Sequence, residues 1–160
     1  MPRASEPGEA FEAAAALPPG APVLQQLRRL LGQVDAEVER FGPRCWGGGT
    51  CCKFDLFSHR LYASTAELAL LAAQPPVDMT RCAGRRCPYQ LGPACTARSA
   101  RPLGCRTFFC RPDAPQALEA LCEQYHVRIR QLHQDFALPY AYAEITLALP
   151  EIAAERATFG

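Results

Sequence analysis

Val23, Leu24, Leu27, Leu30, Leu31, Val34, Val38 and Phe41 recur at helical spacing, which predicts an amphipathic helix over 22–41. Pro22 suits the first turn, where its missing N–H has no intrahelical partner to lose, and Gly42-Pro43 ends the run. Arg28, Arg29, Asp35 and Glu39 fall on the opposite face and read as solvated. A second stripe of Leu118, Leu121, Tyr125, Ile129, Leu132 and Phe136 predicts a helix over 114–137, opened by a capping box of Asp113 and Gln116. Cys122 lies inside this stripe, while His126 and His133 sit on its border. A shorter helix over 65–73 is announced by Ser64 with Glu67 three residues later, and Pro75-Pro76 ends it. Tyr140, Tyr142, Ile145 and Leu147 suit an extended strip, and no internal repeat is visible.

Residues 79–112 break these patterns. They are rich in Arg, Pro, Gly and Cys and poor in periodicity, so they cannot bury enough apolar surface to offset their ordering entropy unaided. The first twenty residues, rich in Pro, Ala and Glu, read as a mobile tail, and 151–160 as a C-terminal tail. The expectation is one small, mainly α domain over 21–150, with about three helices around a loop-rich cysteine cluster stapled by metal.

Composition sharpens that picture at the sulfur atoms. The chain has nine cysteines, all between Cys45 and Cys122, and three of them fall in CWGGGTCC. The N-terminus lacks the basic start and apolar stretch of a secretion signal, and no run approaches the ~18 apolar residues of a membrane span. A cytoplasmic location is therefore expected, where disulfides are rare, and an odd cysteine count would leave one thiol over. Metal–thiolate bonds of ~2.3 Å are the better explanation, with Gly47, Gly48 and Gly49 letting the backbone fold closely around an ion.

Charge agrees with this reading. The net charge is only +1, yet from Arg44 to Arg111 basic residues far outnumber Asp55, Glu67 and Asp78. Guanidinium groups there would lower thiol pKa values and offset the negative charge of a thiolate centre. Without interleaved aromatics or a binding motif, nucleic acid is an unfavoured partner. His126 and His133 are separated by ~10 Å along a helix axis, too far for one ion without help, and His59 has no evident partner.

The ordered set CWGGGTCC, CPYQ, a following cysteine, then RPLGCRTF resembles the YkgJ-like cysteine-cluster family, the CxxCxxCC zinc- or iron-chelating domain. The likeness covers about 44–111. It implies Cys45, Cys51, Cys52, Cys87, Cys95 and Cys105 as the ligand pool, with Cys110 a further member. The family's second cysteine falls on Gly48 here, and Cys82 is the thiol that could replace it. Arg101 and Arg106, which flank Cys105, are candidates to hydrogen-bond the sulfurs or a bound anion. Phe108 and Phe109 are expected to shield the site and fill core, and Trp46 to pack.

Thiolates suit zinc and iron–sulfur clusters alike, and the similar domain of flagellin lysine methylases is associated with an iron–sulfur cluster. The leading expectation is a metal-binding protein whose zinc or iron–sulfur centre is structural or serves a protein partner. The alternatives are a metalloenzyme of protein modification or redox chemistry, and a zinc-stabilised interaction or nucleic-acid-binding module. No catalytic residue and no oligomeric state follow from the sequence.

Overall fold

A computed structural model describes residues 4–41, 60–108 and 115–160 of the 160-residue chain. The supposed N-terminal tail is instead a helix, α1, Pro7–Ala16. Alanine carries no side-chain entropy cost in a helix, and Ala10, Phe11, Ala14 and Ala15 line up on one buried face. α2, Pro22–Glu39, is the helix that periodicity predicts, burying Val23, Leu24, Leu27, Leu31, Val34 and Val38. Phe41, counted in the same stripe, lies beyond the helix and is 36% exposed.

Strand β1, Tyr62–Ser64, passes directly into α3, Thr65–Ala72. The expected cap is present: Glu67 N–H donates to Ser64 Oγ at 3.4 Å, and Ser64 N–H returns to Glu67 Oε2 at 2.8 Å. Every residue of α3 from Thr65 to Leu71 is buried, so this short helix lies at the centre of the fold.

Less regular structure follows. A 3₁₀ turn covers Met79–Gly84, and strands β2, Gln90–Leu91, and β3, Ala94–Cys95, pair in antiparallel register around Gly92, whose φ is 59°. A second 3₁₀ turn, Arg98–Ala100, leads to α4, Leu103–Thr107. The second long helix, α5, is Pro115–Asp135 and buries Leu118, Leu121, Tyr125, Ile129 and Leu132, with Phe136 just past its end. Its C-terminus closes through Ala137 N–H on Gln134 O and Leu138 N–H on His133 O, with Ala137 left-handed at φ 48°.

Strand β4, Tyr142–Glu144, then enters α6, Ile145–Phe159, so the expected extended strip is only three residues long. The expected C-terminal tail is likewise helical: Ile152 is fully buried, and Arg156 donates to Ala15 O and Leu17 O at the end of α1. α1 packs against both α6 and α3. The fold is mainly α and a single small domain, as predicted, with α1, α4 and α6 beyond the helices that the sequence announces.

The two strand–helix units repeat one another. β1 and β4 pair antiparallel as Tyr62↔Glu144, Ala63↔Ala143 and Ser64↔Tyr142. Thr65 N–H donates to Ala141 O at 3.1 Å, and Ile145 N–H donates to Leu61 O at 2.9 Å, a matched pair of bonds at the two helix starts. Ser64 caps α3 and Glu144 caps α6, each through its side chain. The strand pair and the two helix starts are thus arranged symmetrically about the Ala63–Ala143 pair. Only Tyr-Ala is shared in sequence, too little to show a repeat.

Candidate metal centre

Cys82, Cys87 and Cys95 belong to the irregular stretch after α3. Cys82 is buried in the first 3₁₀ turn, Cys87 is buried just beyond it, and Cys95 on β3 is half-buried. Between them Tyr89 is buried and its hydroxyl donates to Leu71 O at 2.7 Å, tying the loop to the last turn of α3. Burial first, and then the charges that Cys87, Cys82 and Cys95 acquire on ionising, push the Tyr89 hydroxyl pKa up.

Hydrogen bonds already order this stretch. Arg81 donates to Pro88 O and Gln90 O, and both the N–H and the hydroxyl of Thr96 donate to Tyr89 O, at 2.8 and 2.9 Å. The staples expected of metal alone are in part backbone carbonyls and an arginine. Guanidinium activation of the thiols is also corrected at Cys82. Burial, helped by the Glu144 carboxylate, pushes its pKa up to about 11, and the opposing pull of Arg81 is weaker.

Cys105 and Cys122 lie elsewhere, on α4 and α5, which pack together. Gly104 precedes Cys105 because a Cβ there would meet Leu61 Cδ1 at 2.5 Å, so α4 approaches the start of β1 closely. Cys122 is half-buried against the core. Burial raises its pKa, while a hydrogen bond with Thr107 opposes the rise.

Among the described residues, the flanking arginines hydrogen-bond to backbone carbonyls and to Asp35. Arg106 is 5% exposed; its Nε donates to Arg101 O at 2.7 Å, its Nη2 to Ser99 O at 2.9 Å, and its Nη1 pairs with Asp35. Arg106 thus fastens the Cys105 helix to α2, and Asp35, expected on a solvated face, is its counter-ion. Arg101 spends its Nε on Arg98 O at 3.1 Å. Phe108 is 48% exposed and does not fill the core.

His133 is not a border residue: it is 2% exposed. Ala66 N–H donates to its Nε2 at 3.2 Å, so the proton sits on Nδ1 and is given to Ile129 O at 2.9 Å. Both ring nitrogens are occupied, leaving no lone pair for a metal. Burial lowers the His133 pKa, with His126 lowering it further and Ile129 O and Glu67 opposing. A depressed folded pKa means that the unfolded chain binds more protons, so this contribution is full above about pH 6.5 and is lost as pH falls through the folded value. Urea midpoints measured from pH 7.5 to 5 are expected to drop more steeply for the native chain than for His133→Gln; parallel curves would refute the assignment. His126 shares a 2.8 Å hydrogen bond with Tyr140.

Among the described residues, no three His, Cys, Asp or Glu side chains come together as a metal site. Cys45, Cys51, Cys52 and Cys110 lie outside the described residues, as do Gly47, Gly48, Gly49, Trp46, His59, Phe109 and the cap at Asp113. Sequence reasoning missed Tyr89 as the anchor of the cysteine-bearing loop on α3; CPYQ carried it, but nothing in a tyrosine's spacing announces a buried anchor. No helix among the described residues is long and apolar enough to cross a membrane. No protein-family model, curated protein or solved structure matches the chain.

Proposed function

We propose that the protein is a cytoplasmic metal-binding member of the YkgJ-like cysteine-cluster family, holding zinc or an iron–sulfur centre through thiolates for a structural purpose or for a protein partner. The observation that carries this reading is the burial of Cys82 and Cys87, with Cys95 half-buried a few residues further along the chain. They lie in a stretch whose regular structure is limited to two-residue strands and short turns. Soft sulfur donors suit zinc and iron–sulfur chemistry. The described thiols supply that donor type without completing a site, and Cys45, Cys51, Cys52, Cys105 and Cys110 are the proposed remainder. Bound metal would supply cross-links between segments distant in sequence. Because burial favours the neutral Cys82 thiol, uptake there has to release a proton.

Elemental analysis and an absorption spectrum of protein purified without oxygen test the reading. Native chain is expected to hold zinc without colour, or iron and sulfide with broad visible absorbance. The Cys51→Ser/Cys52→Ser double variant is expected to lose most of that metal and to melt at a lower temperature. Unchanged metal content and melting temperature would refute the ligand assignment. A metalloenzyme is the second reading, favoured by the aromatic group beside Cys122. There the Tyr62 and Tyr142 rings lie 5.6 Å apart, with His126 edge-on to Tyr142 at 4.7 Å. The charge of Cys122 bears on the Tyr142 hydroxyl.

A further inference from the structure

A cavity of about 540 Å³ opens between the first 3₁₀ turn and the N-terminal half of α6. Its walls carry opposite charges that do not meet. Arg60 and Arg85 line it and have no hydrogen bond or ion pair from their guanidinium groups among the described residues. Glu144 and Glu151 line it as well, and neither closes an ion pair with those arginines. Two cations without a partner among the described residues, facing carboxylates they do not pair with, are the arrangement expected when a ligand with both signs completes the pairing.

The backbone supports the same division. Arg85 is held left-handed, at φ 56° and ψ 44°, a conformation that costs a side-chain-bearing residue about 1–2 kcal/mol and that glycine would adopt freely. The neighbouring Gly84 shows that the turn did not lack a glycine. On the opposite wall, Pro150 inside α6 has no N–H, so the Thr146 carbonyl loses its usual helical donor, and both residues line the cavity. That wall therefore offers acceptors: the Glu151 carboxylate and the Thr146 carbonyl. Glu144 spends its own oxygens on Thr146 N–H and Oγ1. Between the charged walls Met79 and Leu147 give apolar surface, Leu147 being 67% exposed.

We propose that this cavity binds a zwitterionic aliphatic amino acid or short peptide, its carboxylate taken by Arg60 and Arg85 and its ammonium by Glu151 and the Thr146 carbonyl. The aliphatic side chain lies over Met79 and Leu147. The size suits a small ligand, since such sites typically span about 300–1,000 Å³.

Titration calorimetry of the full chain with L-leucine and with the dipeptide Leu-Leu tests this. At least one is expected to bind saturably. For the one that binds, the C-terminal amide and the N-acetyl derivative, each lacking one charge, should bind about tenfold or more weakly. Arg85→Gln should weaken the zwitterion without further weakening the amide, a selectivity that a purely structural defect would not give. Glu151→Gln should do the same with respect to the N-acetyl form. Both residues are exposed, so the variants are expected to fold, and their metal content should match the native chain whether or not the metal reading holds. Absence of binding by both zwitterions would overturn the proposal. So would binding of inorganic phosphate or the N-acetyl form as tight as that of the zwitterion, which would mark a plain anion site.

Discussion

Removal of residues 1–17 is expected to abolish cooperative folding rather than trim a loose end. α1 buries Ala10 and Ala14 completely and Phe11 to 7% exposure, and it contacts both α3 and α6. Truncating a buried Phe alone typically costs about 3–5 kcal/mol. Deleting the helix also uncovers the α3 and α6 faces it covers and strips Arg156 of its carbonyl partners at Ala15 and Leu17. The total approaches the ~5–15 kcal/mol that a whole domain possesses. Thermal melts and solubility of the deletion are the measurement, with Phe11→Ala as the milder step. At ~2–4 °C per kcal/mol for a chain of this size, Phe11→Ala should melt roughly 6–20 °C lower. A deletion that melts within a few degrees of the full chain would refute this role for α1.

Why α1 was illegible is a matter of contrast. Periodicity stands out when large apolar residues alternate with charged ones, as in α2, where Leu24, Leu27 and Leu31 are set against Arg28, Arg29 and Glu39. In α1 the buried positions are mostly alanine, and Ala13 and Ala16 stand on other faces, so burial leaves no signature. α3 was recognised through its cap at Ser64 and Glu67, although its burial on every side is set by neighbours that sequence cannot place. The site divides the same way. Which residues carry sulfur is plain from the sequence, whereas how the loop that bears them is held depends on Tyr89 reaching Leu71. Arg106 shows the limit most clearly: flanking Cys105, it looked like a partner for sulfur, but Asp35, seventy-one residues away, claims it.

Glu67→Leu is expected to destabilise the fold about as much as losing the Phe11 side chain. The sequence presents Glu67 as half of a local capping box, but its carboxylate has a second task. Oε2 accepts Ser64 N–H at 2.8 Å while Oε1 accepts Leu103 N–H at 2.7 Å, joining the start of α3 to the start of α4. The side chain is 3% exposed, so neither N–H can turn to water when it is removed. Each orphaned buried donor costs about 1–3 kcal/mol, and losing both should cost roughly 3–5 kcal/mol in urea unfolding. Glu67→Gln separates the two bonds: an amide offers one acceptor and turns its NH₂ toward the other N–H, so it should fall between native and Leu. Amide hydrogen exchange locates the damage, because Leu103 should lose protection in Glu67→Leu, while in Glu67→Gln only one of the Ser64 and Leu103 amides should. Since α4 carries Cys105 and is otherwise fastened by Arg106 to Asp35, a loosened Leu103 would also free that sulfur from its fixed position. Native stability and a protected Leu103 amide in Glu67→Leu would mean that α4 is held by packing and Arg106 alone.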